Sequence, residues 1–297
     1  MTMATFMQQL TNGISLGSLY ALIAIGYTMV YGILRLINFA HGDIVMMAAY
    51  FAFFGIAVFH IPWYITFLAV VLLTALLGIV VERTAYRTLR DAPRTSILIS
   101  AIGVSFLLEN LATYLFSGIP KAFPEFKLMT TPFDVGGVLI QPLVVIVPVV
   151  TILLLFVLLF IVNKTRLGMA MRAVSKDYET ARLMGIEINS VISATFGIGS
   201  GLAAVGALMW GMKYSSIQPL MGVMPGLKCF IAAVIGGIGN IKGAVLGGFI
   251  LGLAEVLLVA FLPSLTGYRD AIAFIILIII LLFRPMGILG EKQTDKV

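Results

Sequence analysis

Charged side chains are scarce in this sequence, Asp, Glu, Lys and Arg together making up 11% of 297 residues. That is too few to clothe a water-soluble globule. Cys229 is the one cysteine, which excludes an internal disulfide framework and any cysteine-based metal cluster. His41 and His60 are the two histidines, too few ligands for a metal site. No G-x-x-x-x-G-K-[ST] loop occurs, so the chain has no means of cradling ATP. The run "GGIGNIKGA" has its glycines and lysine at the wrong spacing, and it follows an apolar helix rather than a strand, which excludes a dinucleotide fingerprint. The opening "MTMATFMQQLTNG" lacks a basic run and a small-residue cleavage site, so no cleaved secretory signal is expected. No cofactor and no bond chemistry are expected of such a chain.

What is abundant is apolar sequence, 61% of residues with a mean hydropathy of +1.10. Long apolar runs such as "VIVPVVTILLLFVLLFIV" and "AIAFIILIIILLF" recur along the whole length, as in an integral membrane protein. The expected fold is all-α and polytopic, a single permease-like domain over 1–297 with eight to ten spans, of which nine are proposed. They fall near 12–34, 42–59, 62–81, 96–116, 139–162, 189–210, 219–238, 243–262 and 269–284, the second and the last being short. Of the 19 Lys and Arg residues, fourteen lie in one set of loops and four in the other, with Lys228 inside a span. The positive-inside bias makes the first set cytoplasmic, with the N-terminus outside, the C-terminus inside and the longest cytoplasmic loops at 82–95 and 163–188. The same bias explains the net charge of +6 and pI near 9.5 without nucleic acid as a partner, since the basic residues lie between spans.

The stretch "NKTRLGMAMRAVSKDYETARLMGIEI", 163–188, is too polar to cross and long for a connection. Met169, Val174, Ala181 and Met184 alternate with Arg172, Lys176, Asp177, Glu179 and Arg182 as in an amphipathic helix over 169–184. Gly185 supplies its stop, and Lys176 near Glu179 its local support. Two readings stand: an interfacial helix lying on lipid, or a knob projecting into a partner's groove.

"ETARLMG", 179–185, resembles the E-A-A-x-x-x-G loop of ABC importer permeases, with Thr180 where the pattern has its first alanine. In order and spacing with "GSLYALIAIGYTMVYGILRLINFAHGD" and "AAVIGGIGNIKGAVLGGFILGLAE", it is similar to the permease subunit of the bacterial high-affinity branched-chain amino acid ABC transporter, over nearly the whole chain. The resemblance implies half of a pore in the inner membrane, paired with a second permease that is a related chain or a copy. It also implies two cytoplasmic ATPase subunits carrying ATP and Mg, and a periplasmic binding protein. Arg172, Asp177, Glu179, Ala181 and Gly185 would then form the coupling element.

Asn38, His41 and Asp43, in "INFAHGD", fall at a break between the first two spans. They form either a cytoplasmic turn with Asn38 and Asp43 capping helix ends, or a broken helix whose polar end lines the translocation route. Glu109 with Asn110, and Glu255, lie near mid-span, where a carboxylate either locks helices together or lines the path. Met46, Met47, Tyr50 and Phe53 are candidate apolar walls. Lys228 is expected to snorkel to the outer interface. Gly239, Gly243, Gly247, Gly248 and Gly252 keep the four-residue spacing of close helix contacts or a subunit interface.

Three classes of function fit a chain of this type: the importer permease, a gradient-driven secondary transporter, and a membrane anchor for a haem enzyme. The two histidines place the anchor last. Urea and short amides remain alternative cargoes, because no sharply defined pocket is visible in the sequence.

Overall fold

The computed structural model describes residues 3–90 and 92–290, so Lys292 and Lys296 of the charge count lie outside the described residues. The core is built around α1 (Met3–Leu34), whose residues are buried on every side from Ser15 to Val30. A helix apolar all round, with glycines and serines where neighbours approach, has no solvent face to present. Two long helices run antiparallel to it, α8 (Ile188–Tyr214) and α10 (Ile241–Phe261). Gly26 meets the backbone of Gly199 on α8, and Gly248 meets Ala21 from α10.

Around this trio stand α2 (His41–Val58), α3 (Trp63–Leu89), α4 (Arg94–Phe116) and α5 (Pro142–Lys164). Two short helices follow, α6 (Arg166–Lys176) and α7 (Tyr178–Leu183). The set is completed by α9 (Val223–Gly236) and α11 (Pro263–Phe283). The outer faces of α3, α4, α5 and α11 expose Leu72, Leu107, Phe156 and Leu282, the pattern of a surface bathed in lipid. At one end of the bundle β1 (Lys121–Ala122) pairs antiparallel with β4 (Ser216–Ile217), and β2 (Phe133–Val135) with β3 (Val138–Ile140).

Among the described residues, eight helices are long and apolar enough to cross a membrane. The seventh expected span, at 219–238, is the exception: its helix is only the 14 residues of α9. The second span, expected to be short, is 18 residues long. Residues 219–222 form turns between β4 and Val223, so the helix of the seventh segment starts late. Among the described residues, the chain still changes ends of the bundle through α9. Gly237 packs on Gly290 beside the C-terminal end of α1, whereas Gln8 near the start of α1 donates to Leu139 O at 2.6 Å at the opposite end.

The polar loop expected at 82–95 is mostly helix. α3 continues to Leu89 through a widened turn at Glu82–Tyr86, leaving a connection of only a few residues before α4. The buried carboxylate of Glu82 explains the extension, being ion-paired by Arg90 and accepting a 2.5 Å hydrogen bond from Ser193 Oγ of α8. π-type turns of this sort are frequent at functional sites.

Candidate translocation cavity and projecting knob

The break after α1 is re-entrant. Chain 35–40 leaves α1 at Leu34 and folds back, so that His41, the first residue of α2, places its Nε2 3.2 Å from Ile23 O. Ile23 lies eleven residues before the end of α1, about 16 Å back along its axis. α2 therefore starts inside the bundle. Irregular backbone at such depth is tolerated only where protein or a cavity surrounds it, and Asn38, His41 and Asp43 are all buried.

The cytoplasmic-turn reading of this segment fails on geometry. The residue preceding α2 is Ala40, no side chain caps the helix, and Asn38 and Asp43 bond elsewhere. Asn38 Oδ1 accepts from Tyr86 Oη at 2.8 Å, and Asp43 Oδ2 accepts from Ser105 Oγ at 2.5 Å. His41 stands edge-on to Tyr27, ring centres 5.5 Å apart, as a fixed part of the wall between α1 and α2.

Asp43 opens on a cavity of about 220 Å³ lined by residues of α1, α2, α4 and α9, among them Tyr27, Ser105, Glu109, Gly222, Gly226 and Phe230. The first turns of α2 and α9 cross in its wall backbone to backbone: a Cβ on Gly226 would sit 2.9 Å from Gly42 Cα. Of the proposed path residues, this cavity brings Asp43 and Glu109 together, while Asn38 and His41 lie behind its wall. Asn110 points away and donates to Phe106 O at 2.7 Å. Met46, Met47 and Tyr50 are core packing.

Glu255 belongs to a different cluster. Lys228 Nζ lies 2.9 Å from Glu255 Oε1 and 2.8 Å from Asp270 Oδ1, Arg269 Nε lies 3.4 Å from Glu255, and Tyr20 Oη donates to Glu255 Oε2 at 2.8 Å. Lys228 therefore does not snorkel: its side chain is 9% exposed because two carboxylates from α10 and α11 neutralise it in place.

The glycines of α10 are helix contacts within this chain. Gly248 and Gly252 meet the α1 backbone at Ala21 and Gly17, and Gly243 and Gly247 meet α9 at Gly236 and Ala232. Gly239 departs from the expectation. It lies in the turn before α10 with φ of +95°, and its requirement is conformational.

The connector 163–188 forms two helices where one was expected. Asp177, in extended backbone, breaks the run and caps α7, its Oδ1 accepting from the N–H groups of Glu179 and Thr180. Gly185, at φ +78°, closes α7 with the paired bonds of a Schellman turn, Ile186 N–H to Ala181 O and Gly185 N–H to Arg182 O. The buried face of α7 carries Ala181, and Tyr178 Oη donates to Ile33 O at 2.6 Å. Burial holds the Tyr178 phenol above its ordinary range, so it stays a donor. The opposite face presents Glu179, Leu183 and Met184, the last two 87% and 78% exposed. Arg172 is tied to Val162 O, and no Lys176–Glu179 ion pair exists among the described residues. Beside the knob, a groove of about 930 Å³ runs past Arg87, Arg90, Arg182 and Asn189.

Ser105, Tyr86 and the Glu82–Arg90 pair are the site residues that sequence reasoning missed. Only the pair carried a signal, an acid and a base eight residues apart at the end of a span.

A lipid-faced bundle with a re-entrant helix start, a half-open cavity and a projecting knob defines an α-helical, multi-pass membrane permease. More narrowly, residues 9–281 match the family described as branched-chain amino acid transport system, permease component, and the chain belongs to that family. The high-affinity branched-chain amino acid transport system permease protein BraD of Pseudomonas aeruginosa is 44% identical over 98% of both chains. The permease protein LivH of Escherichia coli strain K12 is 41% identical, again over 98% of both. A probable branched-chain amino acid transport permease of Methanocaldococcus jannaschii is 27% identical over 95% of this chain and 91% of its own length.

Proposed function

We propose that this chain is the pore-forming subunit of an ATP-driven importer of branched-chain amino acids, supplying half of the translocation pathway and leaving hydrolysis to separate ATPase subunits. The observation that carries the reading is the knob: α7 is anchored to the end of α1 on one face and turns bare Leu183 and Met184 outward on the other. An exposed apolar tip flanked by Glu179 and Arg182 suits a partner's groove better than free solvent. Full-length similarity to named branched-chain amino acid permeases supports the cargo.

In this reading two cytoplasmic ATPase subunits, which hold ATP and Mg, grip α7 and the adjoining groove. A second permease, a related chain or a copy, completes the pore, and a periplasmic binding protein delivers substrate at the end where α1 begins. The N-terminus faces the periplasm and the C-terminus the cytosol of a bacterial inner membrane. Within this chain the route runs through the cavity beside Asp43 and Glu109. Urea and short amides are the competing cargoes.

The test is purification of the assembled complex and measurement of leucine uptake against ATP hydrolysis. Glu179→Lys and Gly185→Asp are expected to leave the chain inserted while uncoupling uptake from hydrolysis or releasing the ATPase subunits. Wild-type uptake by both variants would remove the docking role, and gradient-driven uptake by the isolated chain would favour a secondary transporter.

A further inference from the structure

Asp43 is 2% exposed, and its two oxygens have different fates. Oδ2 accepts from Ser105 Oγ at 2.5 Å, whereas Oδ1 is buried without a hydrogen-bond partner. A buried carboxylate oxygen left open is costly and calls for a donor that the protein itself does not supply. The cavity beside it is lined by a second carboxylate, Glu109, and by no Lys, Arg or His. Its other walls are apolar or aromatic: Ile102, Phe106, Leu227, Phe230 and Tyr27. A site with two acidic side chains, no basic one, one open acceptor and an apolar surround suits a cation carried on an apolar body.

We infer that Asp43 Oδ1 receives the ammonium group of the transiting amino acid, with Ser105 holding the carboxylate in place and Ile102, Phe106 and Phe230 facing the aliphatic side chain. The assignment rests on the importer reading and sharpens it, because it makes the positive charge of the cargo a requirement. Urea and short amides carry no such charge.

The experiment uses the complete complex in proteoliposomes and reads leucine carried per ATP hydrolysed. Asp43→Asn, nearly isosteric and uncharged, is expected to lower that ratio about tenfold or more, the scale of one charge-assisted hydrogen bond. Asp43→Glu, which keeps the charge, recovers part of it. A wild-type ratio for Asp43→Asn, or equal loss in both variants, overturns the assignment. So does a matching loss in the wild-type complex when sodium is replaced by choline, since that makes the site one for an inorganic cation. A wild-type complex that carries no leucine sinks the importer reading instead.

Should the Asp43 variants fail to assemble, Ile102→Cys in the wild-type background supplies an independent reading, the native Cys229 being buried. A cationic thiosulfonate reagent is expected to modify it faster than an anionic one of the same size, with leucine slowing the reaction. Equal rates overturn the assignment.

Discussion

Tyr178 and Ile33 lie 145 residues apart in sequence and 2.6 Å apart in space, phenol to carbonyl. Ile33 occupies the last turn of α1, where backbone carbonyls have no partner within the helix. The chain that leaves this turn is the re-entrant segment carrying Asn38 and Asp43. Tyr178 therefore ties α7 to the helix end from which the re-entrant segment departs.

Tyr178→Phe keeps the ring and removes that bond, a net loss of about 1 kcal/mol. The chain is expected to fold and to retain its ATPase partners while moving less leucine per ATP. An unchanged ratio of uptake to hydrolysis would show that α7 acts on the pore by another route.

The contact of α10 with α1 leaves no room for side chains: a Cβ on Gly248 would lie 2.6 Å from the Cα of Ala21. Gly248→Leu is expected to lower stability by about 1–3 kcal/mol, the range of overpacked cores. Cys229, fully buried on α9, provides the measurement. A thiol-reactive dye should label it several degrees earlier on heating in the variant than in wild type.

How much of this was legible in the sequence depended on the physical scale of each signal. Apolar runs of about 20 residues located the crossing helices, because hydrocarbon thickness dictates their length. Gly185 as a stop was readable from one residue, since few others tolerate its left-handed backbone. Asp177 as a break was not, because an aspartate inside an amphipathic run looks like one more polar-face residue until its N–H partners are known. The partners of Asp43 and Lys228, namely Ser105 at a separation of 62 residues and Glu255 at 27, are set by how helices pack, which one chain's pattern does not encode. The depth of His41 was hidden for the same reason.

The Lys228–Glu255–Asp270 cluster makes a sharper prediction about stability than about transport. Lys228→Met leaves the carboxylate of Glu255, 3% exposed, with only the half-exposed Arg269 and the Tyr20 hydroxyl. Breaking one partner of a buried pair is costly, whereas replacing both with uncharged groups is often nearly neutral. The single variant is expected to melt well below wild type and the double variant Lys228→Met/Glu255→Gln to recover most of the difference. A double variant less stable than the single would show that the pair holds the helices by attraction rather than by mutual neutralisation.

Orientation decides whether the knob can meet an ATPase at all. The end of the bundle bearing α7 also carries Arg35, Arg83, Arg87, Arg90 and Arg94, while the opposite end carries Lys121, Lys127, Lys213 and Arg269. Retention of basic loops on the cytoplasmic side is expected to put α7 in the cytosol. Leu128 and Leu183 stand at these two ends and are each 87% exposed, so cysteines there report the sides without disturbing the core. In spheroplasts, a membrane-impermeant maleimide is expected to label Leu128→Cys at once and Leu183→Cys only after the membrane is opened. The reverse order would put α7 outside, beyond the reach of any cytosolic motor, and both the docking role of Glu179 and Gly185 and the link through Tyr178 would fall with it.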